Sequence, residues 1–460
     1  MCDVVSNSYP SALEPVQGLK TVDLNDFLNM ARHVVSLPEL RTCHVPFVGY
    51  GNTKRGDRIL MAVDSHYDPA VVDALSIALR EKGAKVDLLT LDAGPDREFD
   101  FHDEVRVVMR RCPWTKDPRR WEGIPWVEDL ARDAGYDLLI HGKGGPTPDA
   151  SYRYVQVPWM SREHFTPGVV LYPQDVLALA NKKTWDMIWK KGRMGRVRIT
   201  DPEGTDLSYT LFEEYFDGTH PGWIPDPVRL YGHLMGHPTP PFIPQEDATG
   251  IAAGTTSHYT RAFSRVKLYL DSGRIERLEG GEQYGKEWGE FLEETRNIQY
   301  PCFPRPGLFW LWEVAIGTHP KIVRPQNIHM LSSGGFEWER RRSGVIHLGF
   351  GTQWRSSAEV WAGERGITYG HLHVHLLFPT YTLTTRDGEV LTLIDKGRLT
   401  ALDDPEVREL AARYGDPDEM LREDWIPSMP GISAPGDYDE YARDPARWIY
   451  RLVSGEKRFS

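Results

Sequence analysis

Residues 58–91 read RILMAVDSHYDPAVVDALSIALREKGAKVDLLTL, and this stretch decides the class of the fold. The run 58–63 is apolar enough for a buried strand. Asp68-Pro69 then supplies a helix cap and a first-turn proline, and apolar residues recur at helical spacing after it. Gly83 ends that helix, and residues 85–91 predict a second strand. A strand–helix–strand unit of this kind predicts a parallel sheet with a right-handed crossover.

The same alternation continues further along the chain. The pattern predicts a helix at 126–134, a strand at 136–141, a strand at 168–172 and a helix at 175–191. Repeated units of this kind are typical of a doubly wound α/β domain, which we expect over residues 1–191. We find neither a GxGxxG nor a GxxxxGK(S/T) motif in it, so the pattern supports no nucleotide cofactor.

From residue 192 onward the sequence is typical of a mainly-β domain. Residues 214–245, rich in Pro, Gly and His, predict a long loop, and 282–297 predict a helix. Segments with strand-like composition and turn residues predict two hairpins and four further strands. They lie at 196–211, 265–278, 308–316, 343–350, 369–377 and 390–394. We expect this domain over residues 192–400, followed by a C-terminal extension, 401–460, that packs on the body.

Three histidines alternate with apolar residues in the predicted strand at 369–377. They are His371, His373 and His375, and residues two apart in a strand share a face. Neutral imidazole is the commonest protein ligand for zinc, iron, manganese and copper. A fourth histidine, His347, lies in another predicted strand. The pattern favours a metal site over the other interpretation, a polar strand face hydrogen-bonded to its neighbours.

Two carboxylates and one polar segment could contribute to such a site. Glu313 lies in a strongly apolar strand, so it is a ligand, a histidine's partner or an arginine's ion-pair mate. Glu246 belongs to the run Pro244-Gln245-Glu246-Asp247, which a solvated turn would also explain. His258 and Arg261 suit a substrate anion or hydroxyl, although a structural hairpin loop accounts for them equally well.

Composition limits the class of protein. The chain has 460 residues, 40% of them apolar and 26% charged, which is typical of a soluble globular protein. Its formal net charge of -12 argues against nucleic acids and anionic membranes as partners. We find no signal peptide and no apolar run long enough for a membrane span. The four cysteines are scattered, as in a reducing compartment, so we expect a cytoplasmic protein.

Short motifs in a shared order resemble a known family. They are Gly204-Thr205-Asp206-Leu207 after the α/β domain, then Pro244-Gln245-Glu246-Asp247, then His347-Leu348-Gly349-Phe350-Gly351. The chain resembles the M29 (aminopeptidase T-like) metallopeptidase superfamily. Within that superfamily it is most similar to the 2,5-dihydroxypyridine 5,6-dioxygenase-like enzymes.

The resemblance implies a fold and a set of ligands. It implies a C-terminal β-barrel-like metal-binding domain, with His347, His373 and His375 as the metal ligands. His375 departs from the family, which carries an aspartate there, while Glu246 and Glu313 match the glutamates of the two-metal peptidases. Losing a bridging carboxylate removes negative charge between two ions, so the departure favours one metal.

The function expected from this resemblance is a mononuclear Fe(II) dioxygenase that cleaves a hydroxylated (hetero)aromatic ring with O2. Glu246 or Glu313 would act as base or fourth ligand, while His371, His258 and Arg261 would orient the substrate or handle protons. One alternative is a hydrolase of the same superfamily that uses zinc, manganese or cobalt. Another is a non-catalytic protein that has lost the metal. The family also implies a homo-oligomer.

Overall fold

The computed structural model describes most of the chain. The described residues are 9–12, 24–37, 39–41, 46–48, 50–64, 67–91, 125–141, 151–156, 162, 164–216, 233–237, 243–256, 262–301, 303–324, 339–351, 361–362, 365–367 and 371–448. They form helices on both sides of a parallel sheet, followed by two antiparallel sheets. A mixed α/β and β architecture is therefore confirmed. No helix in the described part of the chain is long and apolar enough to cross a membrane.

The N-terminal part is a four-stranded parallel sheet in the order β4-β3-β5-β6, preceded by a small antiparallel pair, β1-β2. The strands are β1 (Glu39–Arg41), β2 (Pro46–Val48), β3 (Arg58–Asp64), β4 (Lys85–Leu91), β5 (Leu138–His141) and β6 (Arg153–Gln156). The helices are α1 (Leu24–Ser36), α2 (Pro69–Glu81) and α3 (Pro125–Asp133). Alternate residues of β3 enter two different cores, one with α1 and α2 and one with α3. The sheet is thus covered on both faces, as the sequence predicts.

Local signals account for two helix starts in this part of the chain. Asp68 accepts a hydrogen bond from the Ala70 backbone N–H at the start of α2, as the predicted cap requires. The strand predicted at 168–172 is wrong, since residues 167–170 form a short helix, α4 (Pro167–Val170). Pro167 occupies its first turn, where a fixed φ and a missing N–H favour a helix. The two valines that suggested a strand are buried in the core on that helix.

The C-terminal part contains an antiparallel sheet of eight strands in the order β12-β11-β10-β8-β7-β16-β17-β18. They are β7 (Arg196–Asp201), β8 (Thr205–Thr210), β10 (Thr249–Thr256), β11 (Ala262–Asp271), β12 (Arg274–Gly280), β16 (Thr380–Thr384), β17 (Val390–Asp395) and β18 (Arg398–Leu399). Both predicted hairpins are confirmed. The sheet has free edges at β12 and β18, so the described strands do not close into the expected barrel.

The second antiparallel sheet has four strands in the order β15-β14-β13-β9. They are β9 (His233–His237), β13 (Leu311–Gly317), β14 (Ile346–Gly351) and β15 (His371–Leu376). β9 lies within residues 214–245, which the sequence predicted as a long loop. The residues of β13 and β14 are buried on both faces of the sheet, as in a sheet enclosed between layers. Gly254 of β10 meets β15, where an added Cβ would lie 2.5 Å from Val374 Cγ1. The two sheets therefore approach closely behind β15.

Helices close the outside of this body. They are α5 (Gln174–Trp189), α6 (Glu282–Thr295), α7 (Pro405–Ala411), α8 (Pro417–Met420) and α9 (Tyr438–Arg443). Apolar residues of α5, α6 and α7 share one core with both antiparallel sheets. Tyr441 of α9 packs in a smaller core with Val345 and Phe378. The described part of the C-terminal segment thus packs against the sheets that carry the predicted ligands.

Candidate metal centre

The candidate ligands lie on three neighbouring strands of the four-stranded sheet. Glu313 is on β13, His347 on β14 and His373 on β15. In the antiparallel register Glu313 is paired with Gly349, and Gly349 is paired with His373. His347 lies two residues before Gly349 and therefore on the same face of the sheet. The register brings three side chains together that are distant in sequence.

Gly349 makes the space in which these side chains meet. An added Cβ at this position would lie 2.9 Å from Glu313 Cβ and 3.0 Å from Glu313 Oε2. Carbon atoms in ordinary contact stay about 3.5 to 4.0 Å apart, so no larger residue fits without moving the glutamate. In the next cross-strand row the partner of His347 on β13 is the small residue Ala315. Small residues thus alternate with the ligands across the sheet.

The three donor groups have the spacing and burial of a metal site. One ligand atom from each of Glu313, His347 and His373 lies within 4.8 Å of the other two. Glu313 Oε2 is 3.2 Å from His347 Nε2 and 4.0 Å from His373 Nε2. Donors that share one ion through bonds of about 2.0 to 2.2 Å lie about 2.8 to 3.6 Å apart. The distance from Glu313 Oε2 to His347 Nε2 already falls in this range. The distance to His373 Nε2 falls in it once the two atoms approach by about 0.5 Å.

His375 is held by a different carboxylate. Its Nδ1 lies 2.9 Å from Glu339 Oε1, both side chains are fully buried, and Glu339 also forms an ion pair with Arg324. Burial lowers the pKa of His375, although the neighbouring Glu339 acts to raise it. The imidazole ring therefore stays neutral. Burial alone would raise the pKa of Glu339, but Arg324 and His375 together lower it. A neutral His375 therefore donates from Nδ1–H to an ionised Glu339.

This contact determines which nitrogen of His375 faces the centre. With the proton on Nδ1, Nε2 carries the lone pair, and it is buried without a hydrogen-bond partner among the described residues. The His375 ring lies 4.9 Å from the His347 ring, centroid to centroid. A carboxylate on one ring nitrogen is the usual arrangement of a histidine that ligates a metal through the other. His375, however, is not one of the three residues whose ligand atoms converge.

The segment that provides Glu339 is a feature that the sequence did not predict. Residues 339–342 read Glu-Arg-Arg-Arg, and each of them is at most 2% exposed. Arg340 NH1 lies 3.3 Å from His347 Nε2 and 4.0 Å from Glu313 Oε1. A run of four charges normally lies on the surface, so its burial depends on partners from other segments. The only sequence signal for this burial is that an apolar strand, β14, follows the run within a few residues.

Glu246 lies apart from this centre. Tyr215 donates a hydrogen bond of 3.0 Å to Glu246 Oε1, and the glutamate packs under Gly273 at the β11–β12 turn. Burial raises the pKa of Glu246 well above its usual range, and Asp247 adds to this, although the Tyr215 hydrogen bond lowers it. Glu246 does not join the ligand group.

Three predicted residues lie wholly or partly beyond the described part of the chain. His258 and Arg261 fall outside the described residues. His371 begins β15, where its backbone pairs with Gly351, but its side chain is not among those described. Their assignment to substrate binding and proton transfer stays a prediction.

No family model and no curated protein sequence matches the chain. Two solved structures match across 82% of it. One is the 2,5-dihydroxypyridine dioxygenase from Pseudomonas putida KT2440, at 14% identity over 98% of that chain with a TM-score of 0.41. The other is AmpT from Thermus thermophilus, at 12% identity over 99% of that chain with a TM-score of 0.43. The comparison thus returns members of the two groups of enzymes that the sequence motifs resemble.

Proposed function

We propose that the protein is a mononuclear metal enzyme whose ion is held by Glu313, His347 and His373. The observation that carries the proposal is their convergence, in the buried interior of a sheet, of two imidazoles and one carboxylate. A divalent cation would balance the carboxylate and accept one lone pair from each of the three side chains. We infer that Glu313 supplies the carboxylate that the expected aspartate would have supplied at position 375.

The ligand set supports iron(II) and ring cleavage as the chemistry. Two histidines and one carboxylate that leave other positions open are typical of non-haem Fe(II) oxygenases. Bound iron(II) would supply adjacent positions for a hydroxylated (hetero)aromatic substrate and O2, and a path for electrons between them. Chelation of the substrate requires these open positions, which a three-residue ligand set leaves available.

The surrounding residues would orient the ligands and keep water out. Glu339 fixes the ring of His375, whose Nε2 is then available as a further ligand or as an acceptor of a substrate hydrogen bond. Trp312 lies edge-on to His373, with ring centroids 6.2 Å apart. At 6% exposure His373 is the most accessible of the three proposed ligands, so this side suits the approach of an aromatic substrate. His371, His258 and Arg261 would orient the substrate.

A metallohydrolase is the second candidate, because two histidines, one glutamate and a water also form a catalytic zinc site. Such an enzyme needs a general base beside the water. Glu339 is a poor base, since Arg324 and His375 engage both of its oxygens. Glu246 lies elsewhere and is hydrogen-bonded to Tyr215. Neither glutamate is therefore a suitable base, and this favours the oxygenase.

Metal analysis of protein purified without oxygen tests the proposal. We expect one iron per chain, and O2 uptake with dihydroxypyridines or catechols rather than release from aminoacyl anilides. Two zinc or cobalt ions per chain would refute it.

A matched pair of variants tests the ligand assignment. Glu313→Gln should abolish metal binding, whereas Glu246→Gln, at another buried glutamate outside the centre, should keep it. Full metal occupancy in Glu313→Gln would show that another residue, with His375 the first candidate, completes the site.

A further inference from the structure

The C-terminal segment is fastened to the chain on both sides of the buried charge run 339–342. Before the run, the Pro320 carbonyl accepts a hydrogen bond of 3.0 Å from the Asp424 N–H. After the run, the Ser343 hydroxyl donates a hydrogen bond of 3.0 Å to Glu423 Oε1, and Glu423 is 6% exposed. These contacts are made by two consecutive residues of the segment, so the position of the residue that follows them is defined.

That next residue, Trp425, lies against two arginines. The guanidinium carbon of Arg324 is 5.3 Å from the centroid of the indole ring, and that of Arg342 is 5.7 Å from it. The following residue, Ile426, packs against the smaller core around Tyr441, whereas Trp425 belongs to none of the apolar cores formed by the described residues. The face of an aromatic ring attracts a cation within about 6 Å of its centroid. The contacts of Trp425 therefore hold guanidinium groups in place.

Arg324 connects this tryptophan to the candidate metal centre. Arg324 Nε donates to Glu339 Oε2, and Glu339 Oε1 accepts a hydrogen bond of 2.9 Å from His375 Nδ1. The His375 ring lies against the ring of the proposed ligand His347, with centroids 4.9 Å apart. At most 7% of each of these four side chains is exposed. A change at Trp425 can therefore reach a proposed ligand through buried side chains that contact one another in turn.

We propose that Trp425 is a positioning residue for the metal centre, acting through Arg324, Glu339 and His375. This inference rests on the proposed function. A carboxylate on one ring nitrogen fixes the tautomer and the orientation of a histidine, and the partners of that carboxylate fix the carboxylate in turn. Without the indole ring, Arg324 is no longer held in one of its many rotamers. Glu339 then loses its fixed partner, and the His375 ring is free to turn against His347.

Titration of the full-length protein with Fe(II) alone, without oxygen, tests this inference, with calorimetry as the readout. Trp425→Leu keeps an apolar side chain but removes the aromatic face. We expect its metal affinity to fall about 10-fold, the lower end of what changes at groups that orient a ligand produce. Trp425→Phe keeps an aromatic face and should retain most of the affinity. Trp448→Leu is the matched control, a partly buried tryptophan of the same segment that packs against the smaller core, and should bind Fe(II) as the wild type does.

A double-mutant cycle decides whether the effect passes through Glu339. Glu339→Gln already breaks the connection, so adding Trp425→Leu should cost no further metal affinity, whereas the losses would add if Trp425 had only a separate structural role. Should Glu339→Gln fail to fold, the comparison of Trp425→Leu with Trp425→Phe still decides.

Three results would contradict the inference and leave the metal centre intact. They are wild-type affinity in Trp425→Leu, equal losses in Trp425→Leu and Trp425→Phe, and additive losses in the cycle. A loss in Trp448→Leu as large as that in Trp425→Leu would also contradict it, because the effect would then belong to the whole segment. Absence of bound iron in the wild type would overturn both the inference and the proposed function.

Discussion

Replacing Gly349 by alanine places one methyl group between two candidate ligands. The added Cβ would lie 2.9 Å from Glu313 Cβ, 3.0 Å from Glu313 Oε2 and 3.2 Å from Trp312 Cε2. Restoring normal contact distances of about 3.5 to 4.0 Å moves Glu313 by about 0.6 to 1 Å. Metal–ligand distances tolerate only about 0.2 Å, so this shift is enough to break the coordination.

This displacement of Glu313 determines how far Gly349→Ala should lower metal affinity and stability. We expect metal affinity to fall about 100-fold, at the upper end of what changes that reorient a ligand produce. Overpacking should also lower the free energy of unfolding by about 1 to 3 kcal/mol. The fold should persist, because the backbone at residue 349 does not lie in the left-handed region and alanine is allowed there.

The assay compares Gly349→Ala with Gly289→Ala by metal titration and urea unfolding. Gly289 lies on α6 with no atom within 4 Å of an added Cβ. Its replacement should leave metal affinity unchanged and raise stability by up to about 1 kcal/mol, since a helical glycine is entropically costly. Wild-type metal affinity in Gly349→Ala would refute the assignment of Glu313 as a ligand.

Three further predictions concern stability. Glu339→Gln should lower the free energy of unfolding in urea by about 3 to 5 kcal/mol, because it leaves the charge of Arg324 buried without its partner. Burial, together with Asp201, raises the pKa of Glu203 to about 8, so stability should fall as pH rises from about 4.5 to 8. Thermal unfolding across that range should show the slope in the wild type and a shallower one in Glu203→Gln. Metal at 100 times its dissociation constant should stabilise the protein by about 2.7 kcal/mol, and His347→Ala should lose this gain.

The sequence predicted those parts of the fold that local signals determine. The βαβ unit around α2 follows from a cap, a proline and apolar periodicity within a few residues of one another. The two hairpins follow from strand-like segments joined by turn residues, and the strands of Glu313, His347 and His373 follow from short, mainly apolar runs. The error at 168–172 has a local cause as well, since Pro167 favours a helix start over a strand.

The composition of the centre could not be predicted in the same way, because it depends on strand register. Nothing near Glu313 in sequence indicates that Gly349 lies opposite it, or that His373 follows in the same row. A shift of one residue in either pairing would turn the ligands to opposite faces. The burial of Arg340 is equally non-local, since a charge run by itself predicts a solvated surface.

The structure gives a physical reason to expect one ion rather than two. A second ion would need another carboxylate to balance its charge, and two described carboxylates could have supplied it. Glu339 is the nearer one to His375, but Arg324 and His375 occupy its oxygens. Glu246 is hydrogen-bonded to Tyr215 at a different turn, where burial raises the pKa of its carboxyl group and so disfavours the charged form. Since Arg340 NH1 also lies 4.0 Å from Glu313 Oε1, a second ion on that carboxylate would face a buried positive charge, and the electrostatics favour a single metal.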